Sequence, residues 1–113
     1  MNYNIIPTDN FNKEAKQLAK KHRSLKTDLI QLRTELLENP TIGTALGNNV
    51  YKIRMAITSK GKGKSGGARV ISCVYQMDKE IYLMSIFDKG DKENISDADI
   101  KRFLSEVSTI KYK

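Results

Sequence analysis

The sequence predicts an α+β domain: a small, mostly antiparallel four-stranded sheet with a helical hairpin packed on it and a C-terminal helix, in the order β-α-α-β-β-β-α. Three features predict it. Apolar residues recur at helical spacing twice in succession, at Phe11, Ala15, Leu18 and His22, then at Leu25, Leu29, Leu32 and Leu36. Three runs rich in β-branched residues follow, "VYKIRMAI", "ARVISCVYQ" and "EIYLMSIF". A capped amphipathic segment comes last. With 113 residues, the chain can build one core but not two, so residues 1–113 are expected to form one domain.

The first strand is the short "YNIIP", closed by Pro7. Thr8 or Asp9 can cap the first helix by accepting from its free N–H groups. Ser24 opens the second helix, which ends at Asn39-Pro40 because the residue before proline disfavours the helical region. The tight turn between them makes a hairpin whose stripes can cover one sheet face. "TIGTALGNN" is expected to be a Gly-containing loop. In "VYKIRMAI", Tyr51, Ile53, Met55 and Ile57 point one way and Lys52 and Arg54 the other. The next two runs are apolar on both faces, which places them centrally, joined by a polar turn around Asp78-Lys79. Ser96-Asp97-Ala98-Asp99 is a capping box, with Ile95 and Ile100 spaced for a hydrophobic staple and Ile100, Phe103, Leu104 and Val107 on one side of the helix.

Composition narrows the partners. An apolar content of 39% argues against disorder. Apolar runs of only a few residues predict no membrane contact. The opening "MNYNIIPTDN" lacks the basic and apolar blocks of a signal peptide, and a lone Cys73 makes no disulfide framework, so a cytoplasmic protein is expected. The net charge is +7, and residues 51–69 alone hold Lys52, Arg54, Lys60, Lys62, Lys64 and Arg69 with no acid. A solvated surface intersperses the signs, whereas a phosphate-binding surface segregates them. A polyanion partner is the favoured expectation.

The stretch "GKGKSGG", Gly61 to Gly67, imitates the end of a P-loop. That motif needs a glycine where Thr58 stands, and a helix afterwards where a β-rich run stands. The loop therefore suits nucleic-acid phosphates better than a nucleotide. One His and one Cys cannot build a zinc site. Asp88, Asp91, Glu93, Asp97 and Asp99 cluster in sequence, but the last two fit a helix start and the others an ordinary solvated loop. No metal and no cofactor is expected. His22 suits a surface or partly packed position, and Tyr51, Tyr75 and Tyr82 suit core or sheet positions over base stacking.

Such a chain can still cut RNA. The ribose 2′-hydroxyl attacks its own neighbouring phosphate if the protein aligns it, stabilises the growing charge and moves protons. Lys52, Arg54, Arg69 and Lys89 come from strands or strand ends, which hold such groups well, and are the candidate catalytic residues. Lys60, Lys62 and Lys64, set between glycines, suit adaptable RNA-backbone contacts.

The stretches "VYKIRMAITSKGKGKSGGARVISCVY" and "IYLMSIFDKGDKENIS" before a final helix resemble the RelE/ParE-type toxins of bacterial type II toxin–antitoxin pairs, closest to the RelE/HigB-like branch. The resemblance implies a ribosome-dependent endoribonuclease (mRNA interferase) that cleaves translated mRNA, with the ribosome, mRNA and a cognate antitoxin as partners. It places Arg69 at the scissile phosphate, Lys52 and Arg54 as a basic pair, and Lys89 and Lys92 in the region that supplies a further catalytic or RNA-binding group. Phe87 stands where a tyrosine would be expected, and no His-Tyr pair is present. The general base then falls to Lys89 or Lys52. Two alternatives share the sequence: a ParE-like DNA gyrase inhibitor, and a non-catalytic nucleic-acid-binding module. The focused cationic segment favours the nuclease.

Overall fold

The computed structural model describes residues 2–92 and 94–112. Strand β1 (Asn4–Pro7) leads into helices α1 (Asp9–Lys21) and α2 (Leu25–Glu38). Strands β2 (Thr44–Gly47) and β3 (Val50–Met55), a 3-10 turn at Thr58–Lys60, strands β4 (Ala68–Tyr75) and β5 (Glu80–Asp88), and helix α3 (Asp97–Lys111) complete it. The strands form one sheet in the order β1-β5-β4-β3-β2.

This corrects the expected strand count from four to five. Three of the pairings are antiparallel, as expected, and the sheet is mixed because β1 pairs with β5 in parallel, Asn4 opposite Glu80. The extra strand, β2, lies in the stretch expected to be a loop. It turns back onto β3 through Asn48 and Asn49, whose φ values of 54° and 64° are those of a type I′ hairpin. All four of its residues are exposed, so no apolar alternation marks it.

The helices begin for local reasons. The Thr8 side chain accepts from Phe11 N–H at 3.2 Å, so Thr8, not Asp9, caps α1. Ser96 accepts from Asp99 N–H at 3.1 Å and starts α3. Ser24 stands at the start of α2 but turns its hydroxyl to Asp28 at 2.8 Å.

Both sheet faces are covered. On one, Phe11, Leu18, Leu25, Leu32 and Leu36 pack onto Ile53, Met55, Val70, Val74, Ile81 and Ile86. On the other, Phe103 and Val107 of α3 meet Val50, Ile71, Cys73, Tyr82 and Met84. Burying each large side chain contributes about 1.5–3 kcal/mol. β4 and β5 are almost wholly buried, as their two-faced apolar sequences predict. A bulge beside Ile71 and Ser72 is braced by α1: Ser85 donates to Glu14 at 2.7 Å, and Asn10 donates to the Met84 carbonyl at 2.9 Å. Tyr75 and Tyr82 stack edge to face at the far end of the sheet, where Lys111 lies over Tyr75 and bonds Asp78 and Glu80. Burial, with Cys73 beside it, pushes the Tyr75 phenol up to about 12.

A cationic sheet face with an anchored loop

Strand alternation places Lys52 and Arg54 on the α3 side of β3, opposite the face that holds Tyr51, Ile53 and Met55. Arg54 is exposed. Lys52 is half-buried and donates to Asn94 Oδ1 at 3.2 Å. Across the sheet Arg54 faces Arg69, and Arg69 faces Phe87, so one row crosses β3, β4 and β5. Lys92 is exposed and sits 4.8 Å from the Phe87 ring centroid, a cation–π contact.

Arg69 does not project into solvent as a phosphate contact would. It is 5% exposed, and its guanidinium donates to the Lys64 carbonyl at 3.0 Å, Ala68 at 3.1 Å and Ser65 at 3.4 Å. Two arginines directly opposite in a ladder repel each other. Turning one of them onto carbonyl oxygens eases that contact and braces the loop from beneath.

The Gly-Lys segment is therefore an arch with two held feet. At the leading foot, Asp28 of α2 accepts from Thr58 Oγ1 at 2.6 Å and Thr58 N–H at 3.0 Å, and Ser24 Oγ accepts from Ser59 N–H at 2.8 Å. Lys60 lies in this foot, bonded to Asp88 at 2.8 Å with its side chain only 17% exposed. The adaptable RNA contact expected of Lys60 gives way to this ion pair. At the trailing foot, Lys89 N–H donates to the Gly67 carbonyl at 3.0 Å. A Cβ on Gly67 would stand 2.1 Å from the Met55 carbonyl oxygen, so only glycine lets the two strand ends close. Between the feet, Gly61 and Gly63 take positive φ, and Lys62 and Lys64 are exposed.

Asp88 departs from the solvated loop expected of it. Its side chain is 12% exposed and accepts from Lys60, from Gly90 N–H at 2.8 Å, and meets His22 Nε2 at 3.0 Å. Burial pushes its carboxyl up, but the Lys60 bond, Gly90 N–H and His22 outweigh that and hold it below the usual carboxylate range. Asp28 is likewise lowered, because Thr58 and Ser24 outweigh its burial. Asp91 is exposed, and Glu93 lies outside the described residues. Among the described residues no group of three or more His, Cys, Asp or Glu could hold a metal ion.

Of the sequence-proposed residues, Lys52, Arg54, Arg69 and Lys92 thus lie on or beside one face, and Lys62 and Lys64 crown the adjoining arch. Lys89 is half-buried at the arch's trailing foot. Asp28, Asp88 and His22 were missed as supports. The sequence suits Asp88 to a solvated loop and His22 to a partly packed position, and no local pattern pairs either of them, or Asp28, with the loop. Beside Asp88, a groove of about 490 Å³ opens between α1 and the end of β5, floored by Leu18, Ile86 and Phe87 and rimmed by Lys20, Lys21 and Lys92.

The fold and site define a small α+β protein with a five-stranded mixed sheet, one face of which carries Lys52 and Arg54 beside an anchored Gly-Lys arch. Residues 5–112 match the family described as RelE toxin of the RelE/RelB toxin–antitoxin system, and the chain belongs to that family of type II toxins. Solved structures agree in fold. A mutant of the E. coli toxin RelE in the free state is 20% identical with a TM-score of 0.58, over 98% of this chain and 99% of that one. A chain of the intact E. coli RelBE toxin–antitoxin complex is also 20% identical with a TM-score of 0.58, over 76% of this chain and 95% of that one. A RelE mutant bound to an antitoxin RelB peptide is 19% identical with a TM-score of 0.59, over 85% and 100%. No helix among the described residues is long and apolar enough to cross a membrane.

Proposed function

We propose that this toxin is a metal-independent, ribosome-dependent endoribonuclease that cleaves mRNA during translation in the cytoplasm. The observation that carries this reading is the fixed set of cations: Lys52 and Arg54 on a strand, and Lys62 and Lys64 on an arch held at both feet. Transesterification by the 2′-hydroxyl needs alignment and charge stabilisation more than it needs a metal. In this reading Arg54 takes the phosphoryl charge, Lys62, Lys64 and Lys92 grip the backbone, and Lys52 or Lys89 moves the proton. Arg69 holds the arch, and reaching a phosphate itself would require it to release the loop carbonyls.

A cognate antitoxin would restrain the activity by covering Lys52 and Arg54 with an acidic segment. Chemical modification of these residues that proceeds equally with and without the antitoxin would rule that out. The function is tested by primer extension on a defined mRNA, alone and in a translating system, with wild type, Lys52→Ala and Arg54→Ala. The expected result is cuts that need translating ribosomes and fade in both variants. Intact mRNA with undiminished translation would sink the proposal, and inhibition of DNA gyrase would then become the question.

A further inference from the structure

We propose that Asp88 is a positioning residue for cleavage, fixing the arch relative to the cations of the sheet face; this deepens the endoribonuclease reading and rests on it. Asp88 ends β5, and four parts of the chain meet there. Lys60 brings the leading foot at 2.8 Å, His22 brings the C-terminus of α1 at 3.0 Å, and Gly90 N–H brings the following turn at 2.8 Å. Across the ladder Asp88 pairs with Ala68, the first residue of β4. The next residue, Lys89, holds the trailing foot through its N–H on Gly67. Both feet of the arch therefore touch two successive residues, Asp88 at the half-buried end of β5 and Lys89 just after it. Lys62 and Lys64 project from that arch, and Lys89 itself leaves from its base, so their mutual placement depends on this point. No resemblance or charge count singles Asp88 out, because a carboxylate in a cationic surface opposes RNA binding.

That opposition makes the test decisive. Removing the charge should leave ribosome binding unchanged or tighter, so a slower cleavage cannot come from weaker attraction. Purified variants are assayed for single-turnover cleavage of ribosome-bound mRNA, separating the rate at saturation from the half-saturating ribosome concentration. Asp88→Ala should lower the saturating rate by at least about tenfold, as small misplacements of aligned groups do, with no rise in the half-saturating concentration. Asp88→Asn keeps an acceptor for Lys60 and Gly90 and a polar partner for His22, so its rate should stay within about threefold of wild type. Lys60→Met, which removes one leg and spares Asp88, should slow the saturating rate in the same direction, and it carries the test if Asp88→Ala does not fold.

Wild-type rates in Asp88→Ala, an Asp88→Asn loss as large as that of Asp88→Ala, or an effect confined to half-saturation would each overturn the assignment alone. A wild-type protein that leaves the mRNA intact would overturn the endoribonuclease reading, and the positioning role with it.

Discussion

Replacing Asp28 by alanine should cost this domain far more than a surface acid does. Asp28 is 8% exposed and accepts from Thr58 Oγ1, Thr58 N–H and Ser24 Oγ at 2.6, 3.0 and 2.8 Å. Each bond to an ionised acceptor contributes about 1.5–3 kcal/mol. Thr58 is exposed, so water satisfies much of what the substitution frees. The expected net loss is about 2–3 kcal/mol. At this chain length that corresponds to a fall in Tm of roughly 6–15 °C. Urea unfolding followed by circular dichroism should show a lower midpoint with an unchanged m-value.

The same group gives a pH signature. Its folded pKa lies below the ordinary value, because Thr58 and Ser24 outweigh the burial that would raise it. Its stabilisation is therefore full above the unfolded carboxylate pKa of about 3.9, and drains away as pH falls through the lower folded value. Asp28→Asn should flatten that part of the stability curve. A loss below about 0.5 kcal/mol in Asp28→Ala, the range of ordinary surface substitutions, would refute the claim that α2 holds the arch.

Gly67→Ala should destabilise by about 2–4 kcal/mol, since its Cβ meets the Met55 carbonyl oxygen and backbone cannot swing aside; the urea midpoint reports it. Thr8→Val should cost about 1–2 kcal/mol by the same assay, having lost the cap bond to Phe11 N–H and the bond to the Met84 carbonyl. Lys62→Ala with Lys64→Ala should leave the fold intact and weaken binding to single-stranded RNA. The slope of log affinity against log salt should shrink by about 0.7 for each lysine that contacts a phosphate. An unchanged slope would remove the arch from the RNA interface.

The helices, the central place of β4 and β5 and the segregation of charge were legible in the chain because each is a local property. Helical stripes such as Leu25, Leu29, Leu32 and Leu36 repeat within a few residues, and an acid-free segment needs no fold to be seen. β2 escaped because both its faces are exposed, so burial left no alternation to read. β1 was visible as a strand, but its parallel place beside β5 depends on a pairing between Asn4 and Glu80 that no local pattern encodes.

The site divides in the same way. Composition alone marked Lys52, Arg54 and the Gly-Lys segment as a concentration of positive charge without acids. Only tertiary structure decided which cations face outward and which are held. Arg69 turns under the loop and Lys60 turns to Asp88, while Lys62 and Lys64 remain exposed. Asp28 meets Thr58 across 30 positions and His22 meets Asp88 across 66. Ion pairs and charged hydrogen bonds gain strength from proximity and partial removal from water. Both are created by packing the helical hairpin against the sheet, so a one-dimensional charge pattern carries their sum and not their arrangement.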